Sequence, residues 1–252
     1  MIKQSPPPRV SAADNRRDTV VTIRFRLRQP TRDHMTIILT GLVGDHIVQV
    51  SDRRLTWPEG KLYDDDTNKA VFFCGRVAVA FTGLYQMEGK PTAEWIGSCM
   101  KDHTQIEAAM KQVGDRADRY LRQSTFIDKR LTVVATGWAT LRGAFPIQPF
   151  VCVASNCMTD SWDPAPYGPM NVRTVFPGSS WNFFSAGQSL YHAEKVRLNR
   201  LVKRALEHGA TAMSVARLLQ STVFSVAVRN TRVGKGMIVQ MISQKAVWKP
   251  GH

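Results

Sequence analysis

Residues Thr36 to Val43 form an apolar run, Gly44-Asp45 supply a turn, and His46 to Ser51 return with Ile47, Val48 and Val50. This pattern predicts an antiparallel hairpin. Two details make the hairpin chemically pointed. Thr36 opens its first strand directly after Met35, and Asp52 and Arg54 fall sixteen and eighteen positions downstream of Thr36, at the end of the returning strand. A threonine exposed as a new N-terminus carries a nucleophile and a base on one residue, because its own α-amine can take the proton from its hydroxyl.

The rest of the chain adds strands and helices in blocks. Lys69 to Phe73 and Arg76 to Phe81 predict a second strand pair around Cys74-Gly75, ending at Thr82-Gly83. A helical region is expected from about Ala93 to Arg122, with Gly114 as its candidate break. Strands are expected near Leu131 to Thr136 and Phe150 to Ala154, and the Pro-, Gly- and Ser-rich stretch Asn156 to Asn182 reads as a long loop. Helices are expected from Ser189 to Glu207 and from Ser214 to about Val226, with a closing strand at Gly236 to Ile242. Two helices for each block of antiparallel sheet point to a layered α+β domain rather than repeated βαβ units.

Residues 1–35 stand apart, with Pro6-Pro7-Pro8, a basic alternation Arg24-Phe25-Arg26-Leu27-Arg28, and Pro30. Three readings are open for them: a removable propeptide, a tail upstream of a start at Met35, or a permanent disordered arm. The domain proper is expected over residues 36–245, followed by a short tail, 246–252.

A net charge of +14 raises the question of nucleic acid. Residues 1–34 hold eight of the 34 Lys/Arg and three of the 20 Asp/Glu, so the remainder is still basic, with 26 against 17. No stretch interleaves aromatic with basic residues, and no zinc-finger or RRM pattern occurs, so nucleic-acid binding is the minority reading. No apolar run approaches the roughly 18 residues that span a bilayer. The four cysteines, Cys74, Cys99, Cys152 and Cys157, form no CxxC pair and read as buried small hydrophobes in a reducing, cytoplasmic compartment. His46, His103, His192 and His208 show no ligand spacing and read as surface or capping residues. No cofactor or metal is expected, and the absence of a P-loop or dinucleotide fingerprint argues against an intrinsic ATPase or NAD enzyme.

From Thr36 onward the chain resembles the proteasome β-subunit family of N-terminal-nucleophile hydrolases, closest to the simple bacterial proteasome-like peptidases. The resemblance rests on Thr36, Asp52, Arg54, Lys69 after one inserted residue, and Gly83 in Ala80-Phe81-Thr82-Gly83. It implies a four-layer αββα sandwich of two antiparallel sheets flanked by helices. By the same resemblance Thr36 is the nucleophile and its α-amine, with an ordinary pKa of about 7.7 to 8.0, the base. Lys69 supplies positive charge, Asp52 positions Lys69 and the N-terminus, the Gly83 amide is the oxyanion donor, and Arg54 is a structural ion-pair partner. Peptides or proteins would be the substrates, and a homo-oligomeric ring or helical assembly, with a separate ATPase unfoldase as a candidate partner, is the implied setting.

The chain departs from the family at three points. Met35 stands where members processed from a propeptide usually have glycine. The supporting serine has Ala186 in strict register, and Ser185 serves only if the alignment slips by one. The late supporting aspartate is replaced by Asn230, in Asn230-Thr231-Arg232-Val233-Gly234-Lys235-Gly236. Two rival readings follow: a catalytically silent scaffold subunit of an assembly, and a basic protein using its N-terminal arm on nucleic acid.

Overall fold

The expected hairpin is the centre of a four-stranded antiparallel sheet. It is formed by β1 (Ile37–Val43) and β2 (His46–Asp52), whose register runs from Ile38 opposite Ser51 to Val43 opposite His46. The computed structural model describes residues 36–56, 62–126, 128–141, 144–158, 168–176, 183–187 and 190–247. Residues 1–35 and 248–252, and with them Met35 and most of the expected terminal segments, lie outside the described residues.

Two short strands, β3 (Leu55–Thr56) and β4 (Leu62–Asp64), pair with each other beyond the hairpin. β5 (Ala70–Phe73) and β6 (Val77–Gly83) follow, then the small hairpin β7 (Gln86–Met87) and β8 (Lys90–Pro91). Helices α1 (Thr92–Met100) and α2 (Ile106–Gln123) lead into β9 (Leu131–Leu141) and β10 (Ala144–Ser155). The chain continues with β11 (Asn171–Val175), β12 (Phe183–Gly187), α3 (His192–Glu207), α4 (Ala212–Arg229), β13 (Met237–Ser243) and α5 (Gln244–Val247). The larger sheets have the strand orders β12-β1-β2-β13 and β11-β10-β9-β6-β5, with antiparallel pairing throughout. The fold is α+β, as expected.

Alternate residues of each strand serve different cores. In β1, Ile37 and Leu39 join Val48, Val50 and the buried residues of α3 and α4. Ile38 turns the other way, onto Ala80, Val134, Val151 and Val153 of the second sheet. The opposite face of that second sheet packs Val79, Phe81, Val133 and Phe150 against α1 and α2. Each such side chain, fully buried, contributes about 1.5–3 kcal/mol, so a hairpin apolar at nearly every position is buried on both faces.

The structure departs from the sequence reading at the helices and the long loop. The expected helix 93–122 is two, and the break is not at Gly114. It falls at Lys101–Gln105, where the Lys101 and His103 amides close the end of α1 on Gly97 and Met100 carbonyls. Gly114 lies buried inside α2, and a Cβ there would come within 2.7 Å of Val172 Cγ2. It is a packing glycine that lets β11 approach the helix. β11 itself occupies part of the stretch read as loop, paired with β10 from Val151–Val175 to Ser155–Asn171. Among the cysteines, Cys99 and Cys152 are buried as expected, with burial pushing both thiols up to about 11, and none of the four is in a disulfide. Cys74 is exposed, at a turn with φ +50.

Candidate active site

The sequence places Thr36, Asp52 and Lys69 up to 33 residues apart, and the sheets bring them to one point. Thr36 precedes β1, Asp52 ends β2, and Lys69 immediately precedes β5 of the facing sheet. Their side chains are 5%, 0% and 1% exposed. Lys69 Nζ lies 2.5 Å from Thr36 Oγ1 and 3.6 Å from Asp52 Oδ2, and it also donates to the Arg54 carbonyl. An ammonium has three protons to place, and these three acceptors surround it.

Asp52 is held more tightly still. Its Oδ1 accepts from the Ile37 amide at 3.0 Å, and its Oδ2 from the amides of Arg54 at 3.1 Å and Gly234 at 3.0 Å. Burial pushes the Lys69 ammonium below its ordinary range and the Asp52 carboxyl above it, and each charge works against the other's shift. Three amides also oppose the shift of Asp52. A buried charge pair persists when its remaining hydrogen-bond capacity is filled, and here it is.

Arg54 forms an ion pair with a residue the sequence reading did not name. Its guanidinium makes a two-pronged pair with Asp65, at 2.9 Å on each oxygen, and donates to the Thr231 carbonyl at 2.6 Å. The guanidinium holds the Asp65 carboxyl below the usual carboxylate range. It therefore ties the loop after β4 to the loop after α4. That second loop carries Gly234, where a Cβ would come within 2.7 Å of Arg54 Cβ, so a glycine here lets the amide reach Asp52. Asn230 caps α4, and its Oδ1 accepts from the Arg232 amide at 3.0 Å. Asn230 shapes the loop that delivers Gly234. The run Asp64-Asp65-Asp66 following Arg53-Arg54 was the signal for this ion-pair network, since Arg53 also pairs with Asp66 at 2.9 Å.

Two glycines close the ends of the strands around Thr36. Gly83 has φ +108, and a Cβ there would lie 1.9 Å from the Arg130 carbonyl oxygen. Gly187 has φ +81, and a Cβ there would lie 1.9 Å from the carbonyl oxygen of Thr36 itself. No other residue type fits either position. Amides alternate between the two edges of a strand. Phe81 donates to the Lys69 carbonyl on one edge and Leu84 to the Arg130 carbonyl on the other, so the Gly83 amide belongs to the Lys69 edge.

Ser185 is not brought into this group. It pairs with Leu39 across β1 and β12, and directly opposed residues share a face. Leu39 packs against α3 and α4, so Ser185 turns to that layer, while Ala186, opposite Ile38, has the face toward the second sheet. A one-residue slip would flip every side chain of β12 to the wrong face. The residue that the sequence reading passed over is Thr82. Its Oγ1 accepts a hydrogen bond from the Thr36 nitrogen at 3.3 Å. The signal was strand alternation: Thr82 shares the face of Ala80, which looks toward β1.

The arrangement pairs a buried hydroxyl with a buried ammonium, a carboxylate that fixes the ammonium, and an amide edge nearby. Such a group can lower the cost of a developing alkoxide on Thr36. Of the expected histidines, His208 lies at the end of α3 with Nδ1 2.7 Å from the Arg204 carbonyl, a capping position. Among the described residues no cluster of three or more His, Cys, Asp or Glu is placed to hold a metal ion, and no helix is long and apolar enough to cross a membrane.

No family model matches the sequence, and no curated protein matches it. Among solved structures, the chain is similar to the crystal structure of eukaryotic HslV from Trypanosoma brucei, with 14% sequence identity and a TM-score of 0.49. That similarity covers 82% of this chain and 99% of the other.

Proposed function

We propose that residues 36–245 are a four-layer αββα N-terminal-nucleophile hydrolase that cleaves peptide bonds with Thr36 as nucleophile. The observation that carries this reading is the 2.5 Å contact of Lys69 Nζ with Thr36 Oγ1 inside a site where Asp52 is fully buried. A lysine brought out of water onto a threonine hydroxyl, and anchored there by a carboxylate with three amide donors, has no packing reason to exist.

The reaction requires the Thr36 nitrogen as a free amine, so the bond to Met35 has to be broken first. Thr36 Oγ1 then attacks the substrate carbonyl carbon while its proton passes to the α-amine. The carbonyl oxygen becomes an oxyanion stabilised by the Gly83 amide, a class of donor worth about 2.7–4 kcal/mol. As the carbon–nitrogen bond breaks, the amine returns the proton to the leaving nitrogen, leaving an ester on Thr36. Water attacks the ester, the amine takes the water's proton, and the hydroxyl of Thr36 is regenerated with release of the acid. Lys69 stays protonated throughout and faces the charge on Oγ1. Asp52 and Arg54 position rather than react, and Ser185 has no part. Assembly into a homo-oligomeric ring, cytoplasmic location and service by a separate unfoldase belong to the same reading.

The test is chemical. Full-length protein is expressed, its N-terminus determined by intact mass, and the chain beginning at Thr36 treated with a threonine-directed electrophile. One equivalent of label on Thr36, peptide hydrolysis, and loss of both in Thr36→Ala by at least about a thousandfold are expected. Unlabelled Thr36 with no turnover of varied peptides would sink the reading.

A further inference from the structure

We infer that Thr82 is the positioning residue for the Thr36 amine, a role this inference takes on top of the hydrolase reading. The Thr36 nitrogen donates to Thr82 Oγ1 at 3.3 Å, with both residues buried. A free amine rotates about its Cα–N bond. A hydrogen bond from one N–H to a fixed oxygen stops that rotation and sets where the lone pair points, and a base has to point at the hydroxyl it deprotonates.

Thr82 is unusually well fixed for that task. It sits between Phe81, buried in the core against α1 and α2, and Gly83, whose backbone lies against the Arg130 carbonyl. Its β-branched side chain has restricted χ1 freedom. Its cross-strand neighbour is Thr132, which in turn pairs with Ser155. The hydroxyls of Thr132 and Ser155 bond each other at 2.7 Å, and Ser155 Oγ accepts from the Cys157 amide at 3.1 Å. Thr82 thus begins a row of hydroxyls across β6, β9 and β10, whose far members are tied to one another. The other candidates for supporting the amine are turned elsewhere. Ser185 faces α3 and α4, and the Asn230 side chain is committed to the Arg232 amide.

The test compares Thr82→Val, which keeps the shape and removes the acceptor, with Thr82→Ser, which keeps the acceptor. Steady-state peptide hydrolysis is measured from pH 5 to 9 in protein beginning at Thr36. Thr82→Val is expected to lower kcat by about tenfold or more with KM unchanged. A hydroxyl that accepts from the ammonium favours the charged form, so its removal lowers the amine's pKa. The acid limb of kcat/KM then moves to lower pH in Thr82→Val, and Thr82→Ser restores both rate and limb. Wild-type kcat and an unmoved limb in Thr82→Val, with Thr36→Ala inactive, would overturn the role of Thr82 and leave the hydrolase standing. So would equal losses in the Val and Ser variants, which a packing role produces. Activity surviving in Thr36→Ala would instead remove the hydrolase reading itself.

Discussion

Where β1 begins and β2 ends, a carboxyl and an amine are buried together and held closely: Asp52 by three amides, Lys69 by hydrogen bonds to Thr36 and Arg54 and by its ion pair with Asp52 at 3.6 Å. Midway along the same strands lies a second buried polar row, Thr40 opposite Gln49 opposite Gln240, facing the other sheet. This row is neutral and only partly satisfied. Gln49 Nε2 reaches Thr136 Oγ1 at 3.3 Å and Gln240 Nε2 the Val71 carbonyl at 3.0 Å. Thr40 Oγ1 and Gln49 Oε1 have no partner among the described residues. The difference separates two reasons for burying polarity. A carboxyl and an amine held closely in this way are a built device, whereas the middle row ties the sheets together with bonds that a packed apolar pair could replace.

The largest expected effect breaks the device. Asp52→Ala removes the acceptor of three amides and leaves Lys69 as an uncompensated buried charge, a loss of about 3–5 kcal/mol. Urea unfolding monitored by circular dichroism should show it as a lowered midpoint at unchanged slope. A loss under about 1 kcal/mol, in the range of an exposed ion pair, would mean that the two charges are not coupled as the geometry requires.

A sharper probe uses pH. Burial raises the Asp52 carboxyl above 3.8, and the Lys69 charge opposes that rise. In Lys69→Met the opposition is gone, so the carboxyl moves further up. A group whose folded pKa is raised contributes stability that is fully present below its unfolded pKa and lost as pH rises through the folded one. Lys69→Met should therefore lose more stability than the wild type as pH rises above 3.8, at about 1.4 kcal/mol for each pKa unit of additional shift. Parallel pH profiles for the two proteins would show that Lys69 does not set the state of Asp52.

Much of this device was legible before the fold was known, because its residues sit at strand ends. Hairpin order sets Thr36 beside Asp52 and Lys69 beside Gly83, whereas the family resemblance, not the residue pattern, implied that the two pairs share one site. The register of β12 was not legible. Phe184-Ser185-Ala186 does alternate apolar and polar, but both faces of this sheet are covered, so the pattern does not say which layer Ser185 meets, and that came only through the pairing with β1. Thr82 was hidden for a different reason. Strand alternation puts it on the face toward β1, but its partner is a backbone nitrogen 46 positions away, and alternation names a face rather than the main-chain atom a side chain reaches. The split between α1 and α2 was obscured by Gly114, since a glycine selected for close packing looks in sequence like one selected for a break.

The smallest expected effect tests the other half of the comparison. Thr40 is fully buried, and its Cβ-branched shape is matched by valine, so Thr40→Val removes a hydroxyl without opening a cavity. Had that hydroxyl a partner, its deletion would strand a buried group and cost about 1–3 kcal/mol. With none among the described residues, the substitution removes only the cost of keeping an oxygen from water, and the unfolding free energy should stay unchanged or rise by up to about 1 kcal/mol. Thr36 lies on the same strand face two alternations away, yet Thr36→Val should behave oppositely, because it takes an acceptor from Lys69. Measured side by side, the pair asks whether satisfaction of hydrogen bonds, rather than burial, decides what a threonine between these sheets is worth. A destabilised Thr40→Val would place an ordered water or an undetected donor in the middle row and dissolve the contrast between the two regions.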